Sequence, residues 1–315
     1  MPAVWTNNQI VSNLLRDGSS WSGQTVNYSF SAVAPAISFN AWYGEGNGFS
    51  QFSQAQKDMA VLALKLWDDL ITVDFVENNA APQITLQNST TNVSYAHAYM
   101  PGGSPGGSVW FNPNYNSTTG TNDLVTPKIG SWGALAYMHE IGHALGLGHQ
   151  GSYNVSATYP TDAVFANDSW QMSVMSYFDQ IDNTTVNADL GYLFGPMLAD
   201  ILAIQALYGA PSGTVVSTGN TVYGVGHTLT GALGQLLDAI YVTPNSAVYD
   251  GAPLAFTIYD VGGTDTIDYS DDTVAQRVDL TPEAISDVYG RIGNMVIARG
   301  TIIELSLIHI SEPTR

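Results

Sequence analysis

The sequence predicts an α+β protein built from two successive parts. Two apolar stripes at helical spacing, over 53–70 and 131–146, stand among short segments that alternate like strands. Further along, short strand-like segments and glycine turns replace this pattern, as in DVGGTDTIDYS at 260–270. We therefore predict a twisted mixed sheet with helices over 1–209, followed by a β-rich domain over 210–304.

The strands of the first part are predicted from alternating or short apolar runs. TVNYSF at 25–30 alternates like a half-buried strand. The other candidates are short runs with polar neighbours, at 72–77, 83–87, 93–101 and 107–112. Together they make up the sheet of the first part.

Three helices carry start or stop signals. Ser53 and Ser131 can cap the first two, because a serine side chain there accepts a hydrogen bond from the first turn. The third, GPMLADILAIQALYG at 195–209, has a proline near its first turn and a glycine at its end. A long polar loop over 150–194 separates the second helix from the third.

Composition excludes several classes of protein. Of 315 residues, 45 % are hydrophobic, so the chain can build a sizeable core. The formal net charge is -19, which disfavours nucleic-acid binding because phosphate backbones would be repelled. Cysteine is absent, which excludes disulfides and thiolate metal sites. No apolar run approaches about 20 residues and the start lacks a secretory pattern, so we expect neither a membrane span nor an N-terminal signal.

The last residues, LSLIHISEPTR at 305–315, read unlike the preceding sequence. They interrupt a strand-like stretch and resemble the in-frame translation of a sequencing-library adapter. We interpret them as an adapter-derived artefact, the alternative being a genuine terminal strand, and leave them out of functional reasoning. The natural protein is then expected to continue past Glu304.

The segment HEIGHALGLGH holds three of the six histidines of the chain. On an α-helix, residues four apart are about 40° out of phase, so His139 and His143 project from one face. Gly146 can end the helix with a sharp turn that brings His149 to the same ion. Three imidazoles leave the fourth zinc position open, where Glu140 can reach a water molecule rather than the metal. The alternative, histidines on an ordinary helix, is disfavoured by the extended H-E-x-x-H-x-x-G-x-x-H spacing.

With this motif the chain resembles the metzincin metalloproteases, which also carry a methionine turn beneath the zinc. SVMSY at 173–177 follows His149 at a suitable distance. The resemblance implies that Met175 forms an apolar floor and that Tyr177 points back to the zinc as a further ligand. It implies a mechanism in which Glu140 is the general base and Tyr177 donates a hydrogen bond to the oxyanion.

Within the metzincins the chain resembles the serralysin family. GPMLADILAIQALYGA, STGNTVYG and DVGGTDTIDYSDDTVAQRVDL are similar to that family's helix after the methionine turn and to the opening of its C-terminal domain. The resemblance implies a metzincin-type protease domain with zinc in its cleft, followed by the start of an RTX-like parallel β-roll. It also implies a monomeric, secreted, extracellular endopeptidase of proteins or peptides, with an ABC-type exporter and a proteinaceous inhibitor as partners.

The same resemblance implies structural calcium sites, several of them in the full-length protein. Ca²⁺ takes about six to eight oxygen ligands, and glycines let carbonyl oxygens converge on it. The ligands implied are Ser217, Gly219, Thr221, Asp260, Gly262 and Asp265 for one site, and Gly263, Asp265, Ile302 and Glu304 for a second. Asn220 departs from the aspartate usual in the family. On the pattern alone, GGTD is equally compatible with a turn that carries a solvated aspartate.

Substrate is expected to lie extended along an edge strand, SYAHAYMP at 94–101. Ala96, Ala98 and Tyr99 are the expected contacts, and His97 is interpreted as a rim residue rather than a ligand.

Two other functions stay open at this point. One is a calcium-stabilised binding or adhesion module with a structural zinc, which Glu140 disfavours because a structural site needs no base. The other is a matrixin-like metalloprotease, which Tyr177 and the calcium segment disfavour.

Overall fold

The computed structural model describes residues 2–35, 44–115, 122–211 and 219–308. These ranges contain the α-helices α1 (Asn7–Leu14), α2 (Gln54–Asp68), α3 (Trp132–Ala144), α4 (Leu198–Tyr208) and α5 (Gly231–Leu237). A short 3-10 helix spans Glu45–Gly48, and a π-helical turn spans Asp238–Val242. Within the described ranges, no helix has both the length and the apolar character that crossing a bilayer requires.

The first part is built on one mixed sheet. Its strands are β1 (Thr25–Phe30), β2 (Phe49–Ser50), β3 (Asp74–Glu77), β4 (Ile84–Ser89), β5 (Ala96–Ala98) and β6 (Ser108–Phe111). Their order is β3-β1-β4-β6-β5, with β2 beside β4. The central pairs are parallel, whereas β5 pairs antiparallel with β6 and forms the edge. The predicted mixed sheet is therefore confirmed.

The predicted strands are present, and most are shorter than their sequence patterns. β1 coincides with TVNYSF, while the segment 93–101 contributes only Ala96–Ala98 to the sheet. The chain leaves the sheet because PGGSPGG follows at 101–107, where proline has no amide donor and glycine permits turns. The loop predicted over 150–194 contains one short strand, β7 (Tyr192–Leu193).

The two longer helices of the first part begin at the predicted serines. The hydroxyls of Ser53 and Ser131 each accept an N–H from the following turn at 3.3 Å. After its first residue α3 is buried all round, so packing on every side fixes its position. On α2, the Trp67 indole donates to the Met138 carbonyl at 3.2 Å. The helix that carries the histidines is thus held rigidly.

The second part contains two smaller sheets. The first is fully parallel, with β10 (Thr266–Tyr269) between β8 (Val222–Gly224) and β13 (Leu305–Ile308). The second has the order β11-β12-β9-β7, with β9 (Leu254–Ile258), β11 (Ile285–Val288) and β12 (Arg291–Ile297), so that β7 of the first part joins it through β9. The β-rich character predicted after residue 210 is confirmed. Because β13 lies within 305–315, the adapter interpretation of that segment stays a prediction.

Two helices are missing from the sequence prediction. In α1 only Ile10 and Leu14 are buried, so its apolar stripe is too short to recognise. The helix α5 was not predicted because its sequence contains two glycines, and glycine disfavours helical structure. A Cβ at Gly234 would lie 2.3 Å from the Leu229 carbonyl oxygen, so tertiary packing requires glycine there. The expectation of only strands and turns after 210 is therefore wrong over 231–242.

Candidate metal centre

A cleft of about 860 Å³ separates α3 from the edge strand β5. One wall is the α3 face that carries the predicted zinc ligands, and the opposite wall is β5. Residues 151–157, which follow the third histidine, also line it. The cleft therefore brings together the histidine motif and the strand expected to bind substrate.

Three imidazoles converge in this cleft. His139 and His143 lie one turn apart on α3, and both are buried. The Nε2 atom of His149 lies 2.9 Å from that of His143 and 3.2 Å from that of His139. The structure thus brings together the three histidines that the sequence predicted as ligands.

The turn after α3 makes this convergence possible. The Leu147 N–H donates to the Gly142 carbonyl and the Gly146 N–H to the His143 carbonyl, each at 2.9 Å, as in a Schellman turn. Gly146 has φ +108°, and a Cβ there would lie 2.1 Å from the Ser19 carbonyl oxygen. Both the backbone angle and the close approach of Ser19 require glycine, as the motif predicts.

Each imidazole donates its Nδ1–H to a backbone carbonyl. Because a carbonyl oxygen only accepts, the proton lies on Nδ1 and the lone pair on Nε2. The pairs are His139 with Val174 at 2.8 Å, His143 with Leu147 at 2.7 Å, and His149 with Tyr153 at 2.9 Å. Three Nε2 lone pairs therefore face one another with no proton between them.

Burial keeps these imidazoles neutral. It lowers the pKa of His139 to about 4 and that of His149 to about 3. The pKa of His143 lies well below its usual value, because burial is joined by the charges that His139 and His149 would carry. Neutral imidazole is the form that binds a metal, so the site is ready at neutral pH.

The donor set fits zinc. Zn–N bonds of about 2.0–2.1 Å in a tetrahedron place neighbouring nitrogens about 3.4 Å apart, close to the separations found here. In the part of the chain that the structure describes, these three histidines form a cluster of side chains that could hold a metal ion. Three facing lone pairs repel one another unless a cation lies among them, and a Zn²⁺ ion satisfies all three.

Glu140 lies beside the histidines with an unsatisfied carboxyl oxygen. Its side chain is 6 % exposed, and within the described residues its Oε2 atom has no hydrogen-bond partner. Burial raises the pKa of this carboxyl to about 8. A buried acceptor without a partner is costly, so the carboxyl is suited to bind a donor that enters the cleft, such as water.

Met175 lies beneath the ligands and is fully buried. A Cβ at Gly142 would lie 2.7 Å from the Met175 sulfur and 3.3 Å from the Trp67 ring. The methionine therefore packs directly against the backbone of α3, between the two histidines that this helix carries. The metzincin resemblance implies an apolar floor at this place, and the role of Met175 in it stays a prediction.

A buried carboxylate absent from the sequence prediction fastens the segment around Met175. Asp200, in the first turn of α4, accepts hydrogen bonds from the Ser173 hydroxyl at 2.5 Å, the Val174 N–H at 2.7 Å and the Met197 N–H at 2.9 Å. One sequence feature could have indicated this role: Asp200 is the single acidic residue in the largely apolar sequence of α4.

Tyr177 stands next to the histidines. Its ring centroid lies 4.5 Å from that of His149 and 5.8 Å from that of His139. Burial raises the pKa of its phenol, and the nearby Glu140 charge adds to the effect. The phenol is thus protonated at neutral pH in the absence of a metal and can donate a hydrogen bond.

A second buried carboxylate, also absent from the prediction, supports this tyrosine. Asp168 is fully buried and accepts the Ser176 hydroxyl at 2.7 Å and the Tyr153 hydroxyl at 3.1 Å. The Tyr153 oxygen in turn accepts the Tyr177 N–H at 3.3 Å, and its carbonyl accepts the His149 imidazole. No periodic pattern marks Asp168, because its partners lie 8 and 15 residues away in an irregular segment.

Comparison with known proteins agrees with this geometry. Residues 20–174 match a family model described as Matrixin, and residues 213–309 match one described as Peptidase M10 serralysin C terminal. The chain is 37 % identical to Metalloprotease AprA of Pseudomonas entomophila (strain L48), over 95 % of its own length and 61 % of the relative. It is 34 % identical to Serralysin B of Dickeya chrysanthemi, over 96 % of its own length and 62 % of the relative.

The chain belongs to the serralysin family. The resemblance inferred from the zinc motif and the C-terminal segment is thereby confirmed. This serralysin-family chain spans about six-tenths of the length of the curated relatives named above. The order of the two family models agrees with a protease part followed by a C-terminal part, while the boundary at 209/210 stays a prediction.

In this serralysin-family chain the predicted substrate strand lines the cleft. Ala96 and Ala98 are half-buried on β5, at the sheet edge, and Tyr99 follows the strand directly. His97 also lines the cleft, and its Nε2 atom is 3.1 Å from the buried Glu45 carboxylate. Glu45, which lines the cleft too, accepts the Tyr99 hydroxyl at 2.5 Å and so holds two side chains of this segment.

The predicted calcium ligands form a separate cluster. Asp265 accepts the Thr221 N–H at 2.7 Å through Oδ1, and its N–H donates to Glu304 at 2.6 Å. Its Oδ2 atom is buried, with no hydrogen-bond partner among the described residues. A Cβ at Gly263 would lie 2.1 Å from the Gly219 carbonyl oxygen, so glycine lets that oxygen approach.

Of the other predicted calcium ligands, the structure describes Asp260, Gly262 and Ile302. Asp260 is buried and accepts the Gly262 N–H at 2.8 Å. Ile302 is 66 % exposed, and because its side chain is aliphatic it can contribute only its carbonyl oxygen. Ser217 lies outside the described residues. The Asn220 side chain accepts the Thr264 N–H at 3.0 Å, which shows that the residue unusual for the family still ties the two segments together.

Proposed function

We propose that the protein is a zinc endopeptidase that hydrolyses peptide bonds of extracellular proteins. The observation that carries the proposal is the convergence of three neutral imidazoles in an open cleft, beside the Glu140 carboxyl, whose Oε2 atom has no hydrogen-bond partner among the described residues. A purely structural zinc would be closed by a fourth protein ligand and would have no use for a base at this position. The calcium-stabilised binding module is therefore the weaker alternative.

His139, His143 and His149 would hold the zinc through their Nε2 atoms. The bound ion would supply Lewis-acid chemistry, lowering the pKa of water and polarising the peptide carbonyl. The positive charge of the bound ion would oppose the effect of burial on the Glu140 pKa and favour the ionised carboxylate. In that form Glu140 would take the proton of the attacking water on Oε2 and deliver it to the leaving amine. Tyr177 donates its phenolic hydrogen bond to the developing oxyanion, and β5 orients the extended substrate through its backbone.

The proposal extends to calcium in the second part. The cluster around Asp265 offers carboxylate and carbonyl oxygens, the ligand type that Ca²⁺ prefers. The unpartnered Asp265 Oδ2 atom and the close Gly219 carbonyl support a cation there. We assign this ion a structural role, because it would join the segment at 219–221 to the segments at 260–265 and 304.

The cellular setting follows from the same proposal. A secreted enzyme that leaves through an ABC-type exporter, and that a proteinaceous inhibitor restrains, is what membership of the serralysin family leads us to propose. The strongly negative net charge of -19 suits a soluble extracellular enzyme.

The test of the catalytic proposal is Glu140→Gln. The variant should keep stoichiometric zinc and the melting temperature of the parent protein, yet lose nearly all cleavage of casein, because only the base is removed. His143→Ala is the matched comparison and should lose the zinc itself, as elemental analysis would show. Near-normal turnover by Glu140→Gln would overturn the mechanism.

A further inference from the structure

Trp132 begins α3 and exposes 44 % of its side chain, more than any other aromatic residue in the described part of the chain. It lies on the cleft side of the helix together with Leu135 and Ala136, because positions three and four apart share a face. The same face continues to His139 one turn later. The exposed indole is therefore part of the wall that carries the metal ligands.

The indole is held on a rigid base. It contacts the Trp170 ring edge to face, with centroids 4.5 Å apart and an angle of 65° between the planes. The Tyr192 ring lies 6.3 Å away at 87°. Trp170 is fully buried, and its indole N–H donates to the Ser176 carbonyl at 3.0 Å. Trp132 thus presents a fixed aromatic surface to the cleft at little entropic cost.

The distance from Trp132 to the metal ligands indicates how far a substrate side chain bound at Trp132 would lie from the peptide bond that is cleaved. The two residues Trp132 and His139 are two helical turns apart, which corresponds to about 10 Å along the axis. The cleft follows this helix over its whole length, from Trp132 to His143. An extended peptide advances about 3.3 Å per residue, so about three residues cover the same distance.

We propose that Trp132 forms a subsite for an aromatic or large aliphatic side chain, three residues from the scissile bond of the substrate. Leu135 and Ala136 give its inner wall an apolar character, and both are almost fully buried. Among the described residues, Arg16 is the one lysine or arginine that lines the cleft, and it donates to the carbonyls of His149 and Gly151 beyond the other end of α3. In the described part of the lining, no lysine or arginine near Trp132 therefore favours an acidic side chain.

This inference rests on the proposed endopeptidase activity and is tested with quenched fluorogenic peptides. The peptides differ only in having Phe, Leu, Arg, Glu or Gly at the third residue on either side of the cleaved bond. On one side only, Phe should exceed Gly in kcat/KM by about two- to tenfold, the range that an aromatic pair supplies. Trp132→Ala should abolish this preference and Trp132→Phe should retain part of it.

Val155→Ala is the matched control, because it removes another exposed apolar side chain from the cleft lining and should keep the preference. Binding of the Phe and Gly peptides to Glu140→Gln, measured by fluorescence anisotropy, tests the subsite without turnover. Equal affinities, or a preference that survives Trp132→Ala, would overturn the subsite. A preference for Arg over Phe would overturn its apolar class. Absence of cleavage by the parent protein together with selective binding would instead count against the endopeptidase proposal alone.

Discussion

The Asp200 carboxylate accepts the Val174 N–H at 2.7 Å, and the carbonyl of the same valine accepts the His139 imidazole at 2.8 Å. One residue thus joins the first turn of α4 to the first zinc ligand. The Ser173 hydroxyl and the Met197 N–H bind the same carboxylate. The orientation of His139 therefore depends on a buried carboxyl group behind the segment around Met175, whose pKa burial raises to about 7.

Asp200→Ala should destabilise the protein and loosen the metal. The change leaves the Val174 and Met197 N–H groups and the Ser173 hydroxyl without their shared acceptor. A buried donor left without a partner costs about 1–3 kcal/mol. We expect a lower melting temperature with zinc bound and faster zinc release to a chelator. Asp58→Asn, an exposed change on α2, is the control, and equal behaviour of the two variants would contradict the expectation.

Tyr177→Phe should lower kcat by about 10²–10³-fold while zinc is retained, because one oxyanion donor is lost. Tyr153→Phe is the matched variant, since it removes the hydroxyl that links Asp168 to the Tyr177 N–H and keeps the ring. Its effect on kcat should be smaller, because the Tyr177 phenol remains. Steady-state kinetics and zinc analysis of both variants provide the measurement. An unchanged kcat for Tyr177→Phe would make it a packing residue.

Asp69 should make stability depend on pH. It lines a small apolar cavity with Phe194 and Phe256, and burial, helped by the Asp68 charge, raises its pKa from 3.8 to about 6. The folded state holds this proton more tightly than the unfolded state does. The stability that it contributes is therefore complete below pH 3.8 and is lost as the pH rises to about 6.

Asp69→Asn should remove this loss. Relative to the parent protein, the variant should gain roughly 1–2 kcal/mol in the free energy of unfolding between pH 4.5 and pH 7, after allowance for the partial exposure of the carboxyl. Denaturant unfolding at the two pH values measures the difference. Parallel pH profiles for the two proteins would show that Asp69 titrates normally.

The zinc ligands were predictable because their geometry is local. The spacing of His139 and His143 follows from the helical repeat, and Gly146 marks the turn that returns His149, all within eleven residues. The caps at Ser53 and Ser131 are local for the same reason. A single sequence is sufficient for such features.

The supporting groups were not predictable because their partners are distant in sequence. Asp200 binds Val174, which is 26 residues away, and Glu45 binds His97, which is 52 residues away. Neither contact leaves a periodic pattern, since only the folded sheet and helices bring the groups together. Trp132 shows the same limit, because the rings that hold it, Trp170 and Tyr192, are 38 and 60 residues away.

Calcium should stabilise the second part of the chain through Asp265. The carboxylate is surrounded by like charge, since Asp260 and Glu304 raise its pKa in addition to burial, and its Oδ2 atom lacks a partner in the described residues. A bound Ca²⁺ would remove this repulsion and satisfy that oxygen. Stabilisation then follows the usual linkage, about 2.7 kcal/mol when free calcium is a hundredfold above Kd.

We therefore expect calcium to raise the melting temperature, with zinc held constant, and expect chelation of calcium to reverse the rise. Asp265→Asn should remove most of the shift, because the amide supplies one weaker ligand and no charge, whereas Asp58→Asn should leave it unchanged. In the absence of calcium, Asp265→Asn should be as stable as the parent protein or more so, since it relieves the repulsion among the carboxylates. This opposite sign separates a calcium ligand from a merely structural aspartate, whose loss would destabilise the protein with or without the ion. If calcium shifts neither protein, the cluster around Asp265 is a turn held by hydrogen bonds alone.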